Sequence, residues 1–364
     1  MWDTPTPALI LDFDAMTRNL DRIARHYQGK AVTLRPHTKT HKSPAIAAAQ
    51  LKRGATGICV AKLSEAEMMI GAGMTADILV TGGIVDPLRI RRLVALAGTH
   101  PGLLAVTDHA ANVDLLASAA EAAKVTLGVL VDLNCGSNRS GVATGKAAVA
   151  LAEHIARKPS LRLEGFQAFA SHVMHLRGYD ERRRADLEAL EGVVATRRAA
   201  ERAGLHVPVL SVGGTGTWDI DCDVEGVTDV QAGSYVFMDA MYRAIGGRNG
   251  PVFTDFEPAL FVLTTAISQP VSGEITVDAG YKASATDHQP PEPWGVGQVS
   301  YRWAGDEHGI LTLTRPSRSI KIGDRILMVV SHCDPTVNLY DSYWVCSGER
   351  VVAQWPVAGR GMSQ

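Results

Sequence analysis

The chain has 364 residues, more than one compact core usually holds, and its 46% hydrophobic and 20% charged content is that of an ordinary globular protein. A formal net charge of -2 gives no electrostatic reason to expect nucleic acid or an anionic membrane as partner. Five cysteines, odd in number and without a CxxC pair, argue against a disulfide scaffold or a structural zinc cluster and for a reducing cytoplasm.

The opening MWDTPTPALILDFD carries an acidic residue where a signal peptide needs basic ones, and no apolar run in the chain is long enough to span a bilayer. Within it, TPALILDFD reads as a strand. From Ala31 to Ala240 short apolar strands alternate with Ala- and Leu-rich helical stretches. The strands are AVTLRP, GICVA, DILVTG, LLAVT, TLGVLVDL, EGFQAFA, VPVLSVGG and VTDVQAG; SPAIAAAQLKRG and LSEAEMMIGAG are typical of the helices between them. Continuous apolar strands followed by amphipathic helices predict parallel strands with crossover helices, and eight such units close a (β/α)8 barrel. The stretch Tyr179 to Ala203 is unusually charged and is expected to be a helix with a solvated outer face.

After Ile245 the texture changes. GGRNGPVFTDFEPAL reads as a linker, and FVLTTAISQP, EITVDAG, GILTLT, DRILMVV and YWVCSGERVVAQWPV predict an antiparallel β domain. The expected organisation is therefore an N-terminal strand (1–20) that joins the β domain, a barrel over 21–247, and a C-terminal β domain over 248–364.

Catalytic groups of an α/β barrel sit at the C-terminal ends of its strands, and four such ends carry chemistry here. In RPHTKTHKSP, Lys39 lies among Arg35, His37, His41 and Lys42, whose positive charge favours a neutral amine, the form that makes a Schiff base with an aldehyde. An exposed basic loop would look the same from this stretch alone. In VDLNCGSNRSGV, Gly136 and Gly141 allow tight turns around Arg139, which can donate to an anionic or phenolate oxygen. SVGGTGTW and QAGSYVFMD offer small residues and hydroxyls, the material of a phosphate cradle, although the GK[ST] ending of a P-loop is absent. ASHVMH places His172 and His175 after FQAFA, where either can act as acid or base or serve only as a structural hydrogen-bonder.

In the β domain, VVSHCDPTVNLYD separates His332 from Asp334 by one residue. In an extended chain, with Pro335 restricting Asp334, both side chains face one way and Cys333 the other. An imidazole and a carboxylate form a sparse ligand set that suits Mn²⁺ or Mg²⁺ at least as well as Zn²⁺; Cys333 as ligand would favour zinc, and a polar turn with no metal is the plain alternative.

Taken together and in order, TPALILDFDAMTRNL, RPHTKTHKSP, VDLNCGSNRSGV, SVGGTGT, QAGSYVFMDAMY and SHCDPTVNLYD resemble the D-threonine aldolase and D-serine dehydratase family. Its members share the fold-type III, alanine-racemase-like architecture: a barrel that binds pyridoxal 5'-phosphate (PLP), plus a β domain. RPHTKTHK and HCDPTVNLYD are the specific signatures. The resemblance implies that Lys39 forms the Schiff base with PLP, that Gly214, Thr215, Gly233, Ser234 and Tyr235 surround its phosphate, and that Arg139 sits by the ring or its O3' oxygen. It implies that Phe169 stacks on the ring where relatives often carry Tyr, that His332 and Asp334 hold a divalent metal, and that His175 is the base. A homodimer is expected on the same grounds.

The activity so implied is metal-dependent retro-aldol cleavage of a D-3-hydroxyamino acid to glycine and an aldehyde. D-Threonine, D-phenylserine-type substrates and D-3-hydroxyaspartate all fit it. A carboxylate-bearing substrate would need a further cation, for which Arg35, His37, Arg177 and Lys282 are candidates. The nearest rival is dehydration of D-serine or D-3-hydroxyaspartate to a keto acid and ammonia, and relatives that dehydrate resemble a His-x-Cys pair rather than His-x-Asp. Racemisation would need a second base opposite Lys39, and a PLP-binding protein without catalysis is the alternative of another class.

Overall fold

The computed structural model describes residues 1–364, which form two compact units. One comprises residues 23–39, 44–233 and 362–364; the other comprises 1–22, 40–43 and 234–361. The chain begins with β1 (Ala8–Asp12) and α1 (Phe13–Tyr27).

The first unit holds β2 (Thr33–Leu34), β3 (Ile58–Val60), β4 (Ile78–Val80), β5 (Leu103–Thr107), β6 (Leu127–Asn134), β7 (Val142–Ala143), β8 (Leu161–Ala168), β9 (Val209–Val212) and β10 (Asp229–Val230). Its helices are α2 (Pro44–Leu51), α3 (Leu63–Gly71), α4 (Pro87–Thr99), α5 (Ala110–Ala123), α6 (Lys146–Ala156) and α7 (Tyr179–Arg202). Eight strands run in the order β2-β10-β9-β8-β6-β5-β4-β3, every pairing parallel. A parallel bridge between His37 and Cys59 joins the two edges, with the Cys59 amide donating to the Pro36 carbonyl at 2.9 Å. The sheet is thereby closed into the expected (β/α)8 barrel. β3, β4 and β5 are buried at every position and almost wholly apolar, as strands covered by helices require.

Polar residues line the barrel interior and satisfy one another. Arg35 Nε donates to Asp229 at 3.1 Å, Ser211 donates to the same carboxylate, and Gln231 Nε2 donates to Ser211 Oγ at 2.9 Å and to Gln167 at 3.2 Å. Gln167 in turn donates to Asp132 at 3.1 Å, and Ser140 donates to the other Asp132 oxygen at 2.8 Å. These bonds fix the strands' side chains because breaking any link strands a further buried polar atom; Arg35 Nη1 is buried without a hydrogen-bond partner.

The charged helix departs from expectation. Along α7 the buried residues Arg182, Asp186, Leu190, Val193, Thr196 and Ala200 follow a helical spacing, so two of its charges lie on the inward stripe. Arg182 is 0% exposed and Asp186 1%. The solvated-face reading holds only for the remaining charges, because average composition cannot tell which turn of a helix faces inward.

The second unit adds β11 (Leu260–Ser268), β12 (Glu274–Val277), β13 (Glu292–Pro293), β14 (Gly297–Trp303), β15 (Gly309–Pro316), β16 (Arg325–Val329), β17 (Ser342–Ser347) and β18 (Arg350–Pro356), with α8 (Ala240–Arg243) and α9 (Cys333–Val337). They form a sheet in the order β14-β15-β12-β11-β1-β17-β18, with β16 paired to β11 and β13. All pairs are antiparallel except β1 with β17. The N-terminal strand thus joins this sheet, as its apolar run suggested. Ala8, Ile10, Phe261, Leu263, Val329 and Cys346 make one buried cluster, in which each large side chain contributes roughly 1.5–3 kcal/mol. Residues 234–247 belong to this unit, docked by Ala240 N–H to the Val330 carbonyl and Met241 N–H to the Ser331 carbonyl.

Candidate active site

The basic stretch after β2 resolves residue by residue. Arg35 is buried against Asp229, so it is committed to the barrel interior rather than to a substrate. His37 is buried and its Nε2 lies 3.1 Å from Thr81 Oγ1, while Thr38 donates to the Cys59 carbonyl at 3.0 Å. Lys39 stands half-buried in a single 3₁₀ turn, Thr38–Thr40, just past the strand end. His41 accepts from the Ser43 amide through Nδ1 at 3.1 Å, and Lys42 is buried with φ of 49°. Of the other candidate cations for a substrate carboxylate, Lys282 pairs with Glu307 on the surface and Arg177 is exposed.

The turn after β6 is built around Asn134. Its Oδ1 accepts from the amides of Gly136 (3.0 Å) and Asn138 (3.2 Å), and Gly136, Asn138 and Gly141 have positive φ. This fold of the chain presents Arg139, whose guanidinium lies over the Phe169 ring at 5.3 Å from its centroid. Phe169 in turn packs against the next strand's loop: a Cβ on Gly214 would lie 3.3 Å from the Phe169 ring and 3.0 Å from Met174 Sδ. Arg139, Phe169 and Gly214 are therefore brought together at the C-terminal ends of β6, β8 and β9.

The glycine loop after β9 cannot be built from other residues. Gly213 has φ of 72°, and a Cβ there would run into the Asp221 carboxylate. Gly216 packs its Cα directly onto the Met174 carbonyl. Thr215 opens a 3₁₀ turn, Thr215–Thr217, and is buried. Gly233 lies just past β10, the strand paired in parallel with β9. In the second unit Ser234 is buried and its carbonyl accepts from the Phe237 and Met238 amides; Tyr235 is buried with its ring against Phe256, centroids 5.5 Å apart. Both histidines of ASHVMH are exposed, His172 alongside Gly136 and His175 three residues on.

At the second motif the structure corrects the extended reading. Cys333–Val337 is a helix with His332 as its N-cap residue, so Asp334 lies in a first turn and not on a strand. Proline is tolerated in a first helical turn, where its missing N–H has no partner to lose, and Pro335 therefore permits the helix instead of forbidding it. His332 and Asp334 still converge: Nε2 of His332 is 3.7 Å from Asp334 Oδ2. Cys333 is fully buried, and burial pushes its thiol well above its ordinary pKa. Its amide donates to Asp239 at 2.9 Å; Asp239 also caps α8 through the Tyr242 amide at 2.9 Å. Burial raises the Asp239 carboxyl, and the charge of His332 and these two amides counter it.

Asp287 was not legible in the sequence. Its Oδ2 lies 2.7 Å from His332 Nδ1, and with His288 and His332 it forms a cluster able to surround a cation. A carboxylate on one imidazole nitrogen sets the tautomer and aims the other nitrogen, a recurring arrangement around metal-binding histidines. Thr40 donates to Asp334 at 3.1 Å.

The residues fit the groups that the resemblance implies. An arginine over an aromatic ring, beside a loop restricted to glycine, suits an aromatic cofactor carrying phenolate and phosphate. An oriented imidazole and a carboxylate 3.7 Å apart suit one divalent ion.

Comparison with known proteins agrees with this architecture. Residues 11–240 match the model of the alanine racemase N-terminal domain, and residues 259–346 match the model of a serine dehydratase domain. The chain belongs to the alanine racemase-like family, in the branch that contains D-threonine aldolases and D-serine dehydratases. It is 34% identical to 3-hydroxy-D-aspartate aldolase of Paracoccus denitrificans strain Pd 1222, over 98% of this chain and 92% of that protein. It is 33% identical to D-threonine aldolase of an Arthrobacter species, over 99% of this chain and 93% of that protein. The crystal structure of D-threonine aldolase from Filomicrobium marinum superposes with a TM-score of 0.95 at 37% identity, covering 100% of this chain and 98% of that one. No helix is long and apolar enough to cross a membrane.

Proposed function

We propose that this chain is a PLP- and divalent-metal-dependent carbon–carbon lyase that cleaves D-3-hydroxyamino acids of the D-threonine type to glycine and an aldehyde. The observation that carries this reading is the imidazole–carboxylate pair His332 and Asp334, oriented by Asp287, in a chain whose barrel presents Lys39 at a strand end. Relatives named as aldolases match it over nearly their whole length.

Each residue has a defined task. Lys39 would hold the cofactor through its ε-amine, the group able to form a Schiff base with an aldehyde. Arg139 and Phe169 would hold the cofactor ring, and Gly214 and Thr215 in the Gly213–Thr217 loop, with Gly233, Ser234 and Tyr235, would hold its phosphate. When bound, PLP supplies an electron sink for the pair released as Cα–Cβ breaks. Mn²⁺ or Mg²⁺, with Zn²⁺ the further option, would be held by His332 Nε2 and Asp334 and would supply Lewis acidity toward the substrate's β-hydroxyl. His175 accepts the proton of that hydroxyl, and a proton returned to the α-carbon completes glycine.

The test is a panel of D-3-hydroxyamino acids assayed for glycine and aldehyde, with and without EDTA. Glycine released only with metal supports the reading. Keto acid and ammonia would make the protein a dehydratase, and PLP binding without any product would make it a non-catalytic binder. Lys39→Ala is expected to lose the visible absorbance of the loaded protein, while Asp334→Ala keeps it and loses cleavage. Full metal-dependent activity in Asp334→Ala would sink the ligand assignment.

A further inference from the structure

We infer that Arg182, buried on α7, is a positioning residue that locks the loop carrying His175 to the glycine loop, so that seating the phosphate and placing the base are one event. This inference rests on the functional reading above, since it takes His175 and the Gly213–Thr217 loop as parts of one site.

Arg182 is the largest side chain buried completely in the molecule. Taking a guanidinium out of water costs several kcal/mol unless its donors are met, so its presence in the interior needs a return. Two backbone carbonyls meet it. Nε donates to Gly216 O at 2.7 Å, and Nη1 donates to Leu176 O at 2.8 Å. One acceptor belongs to the glycine loop; the other directly follows His175. A single rigid fork thus spans two segments separated by forty residues of sequence.

The same two segments touch elsewhere. Gly216 is pressed onto the Met174 carbonyl, Gly214 faces the Met174 thioether, and Thr217 Oγ1 lies 3.8 Å from that sulfur. The side of Arg182 toward the helix is held as well. Tyr179, one turn earlier, lies beneath the guanidinium with its ring centroid 5.8 Å away and donates to Asp219 at 3.2 Å, just past the glycine loop. Asp186, one turn later, adds an attractive charge. The bonds of Arg182 to Gly216 and Leu176 run to the backbone of the two loops, and through them it acts.

The decisive measurement compares hydrogen exchange of the wild-type protein with and without PLP. Residues 172–178 and 213–217 are expected to gain protection together. Protection confined to 213–217 overturns the inference while leaving the functional reading intact, and a wild-type protein that takes up no PLP overturns both. The paired variant is Arg182→Lys, which keeps the charge but not the fork. Its PLP affinity is expected to fall about tenfold and kcat of the loaded enzyme roughly a hundredfold, whereas Mn²⁺ affinity, read without PLP, is unchanged. A residue that only stabilised the fold would lower the Tm and leave PLP affinity and kcat of the loaded enzyme untouched; a folded Arg182→Lys protein behaving so overturns the proposal.

Discussion

At His332 one imidazole is asked to face two carboxylates, Asp287 through Nδ1 and Asp334 through Nε2. If Asp287 holds the Nδ1 proton, the lone pair of Nε2 points where a cation would sit; if an amide donor replaces Asp287, the proton moves to Nε2 and closes that position. Asp287→Asn is therefore expected to weaken Mn²⁺ binding by roughly 10–100-fold, measured by titration followed with EPR, with PLP affinity unaltered. An unchanged titration would remove Asp287 from the site. His332 and Asp334 were readable because they share one short motif. Asp287 lies 45 residues upstream in the run ATDHQPP, exposed at Thr286, Asp287 and His288, and nothing local distinguishes it from an ordinary acidic loop residue. The backbone between His332 and Asp334 was misread for a related reason: proline restricts its neighbour strongly in mid-helix and weakly in a first turn, and the sequence does not announce where the helix begins.

Helix α7 shows the same limit one level up. All eight barrel strands could be read from their apolar runs, because a strand buried on both faces shows little polar alternation. In the β domain, by contrast, the two-residue β13 and the largely exposed β14 carry no such run. In α7 the inward stripe carries Arg182 and Asp186 on its first two turns and apolar residues only from Leu190 onward. The spacing that identifies the stripe was present, yet charge overrode it. Asp186 and Asp221 are both buried, and no N–H donor reaches either oxygen of Asp186. Burial lifts Asp186 to about 6, and burial together with the charge of Asp186 lifts Asp221 well above its ordinary range. Carboxyls raised in this way favour the state in which the pair keeps a proton. Because the folded pKa exceeds the unfolded one, the pair adds stability below about pH 4 and loses that contribution as pH rises toward 6. Asp186→Asn makes the protonated state permanent. Its melting temperature relative to the wild type should rise between pH 4 and 7, by an amount corresponding to about 2–3 kcal/mol, and a pH-independent difference would show that the pair does not share a proton.

Across the whole molecule the chain passes repeatedly between its two units: 1–22, 40–43 and 234–361 in one, 23–39, 44–233 and 362–364 in the other. The four-residue visit at 40–43 is anchored there by three bonds, Thr40 to Asp334, Tyr343 to the His41 carbonyl, and the Gly359 amide to the Lys42 carbonyl. Neither unit is a contiguous segment that can be lost without cutting into the other, so equilibrium unfolding in denaturant is expected as one transition, with far-UV circular dichroism and tryptophan fluorescence superimposing. Non-coincident curves would show the units melting separately.

The five cysteines carry a consequence of a different kind. All are free and buried, Cys59, Cys135 and Cys222 in the barrel unit and Cys333 and Cys346 in the β unit. Burial raises every one of these thiols, Cys135 and Cys222 to about 11, so the thiolate that reacts with alkylating reagents is scarce as well as covered. Labelling followed by mass spectrometry thus reports opening of each unit separately, with no engineered probe. In a single cooperative transition all five sites would be modified in step; a barrel trio that reacts first would record the order in which the native protein comes apart.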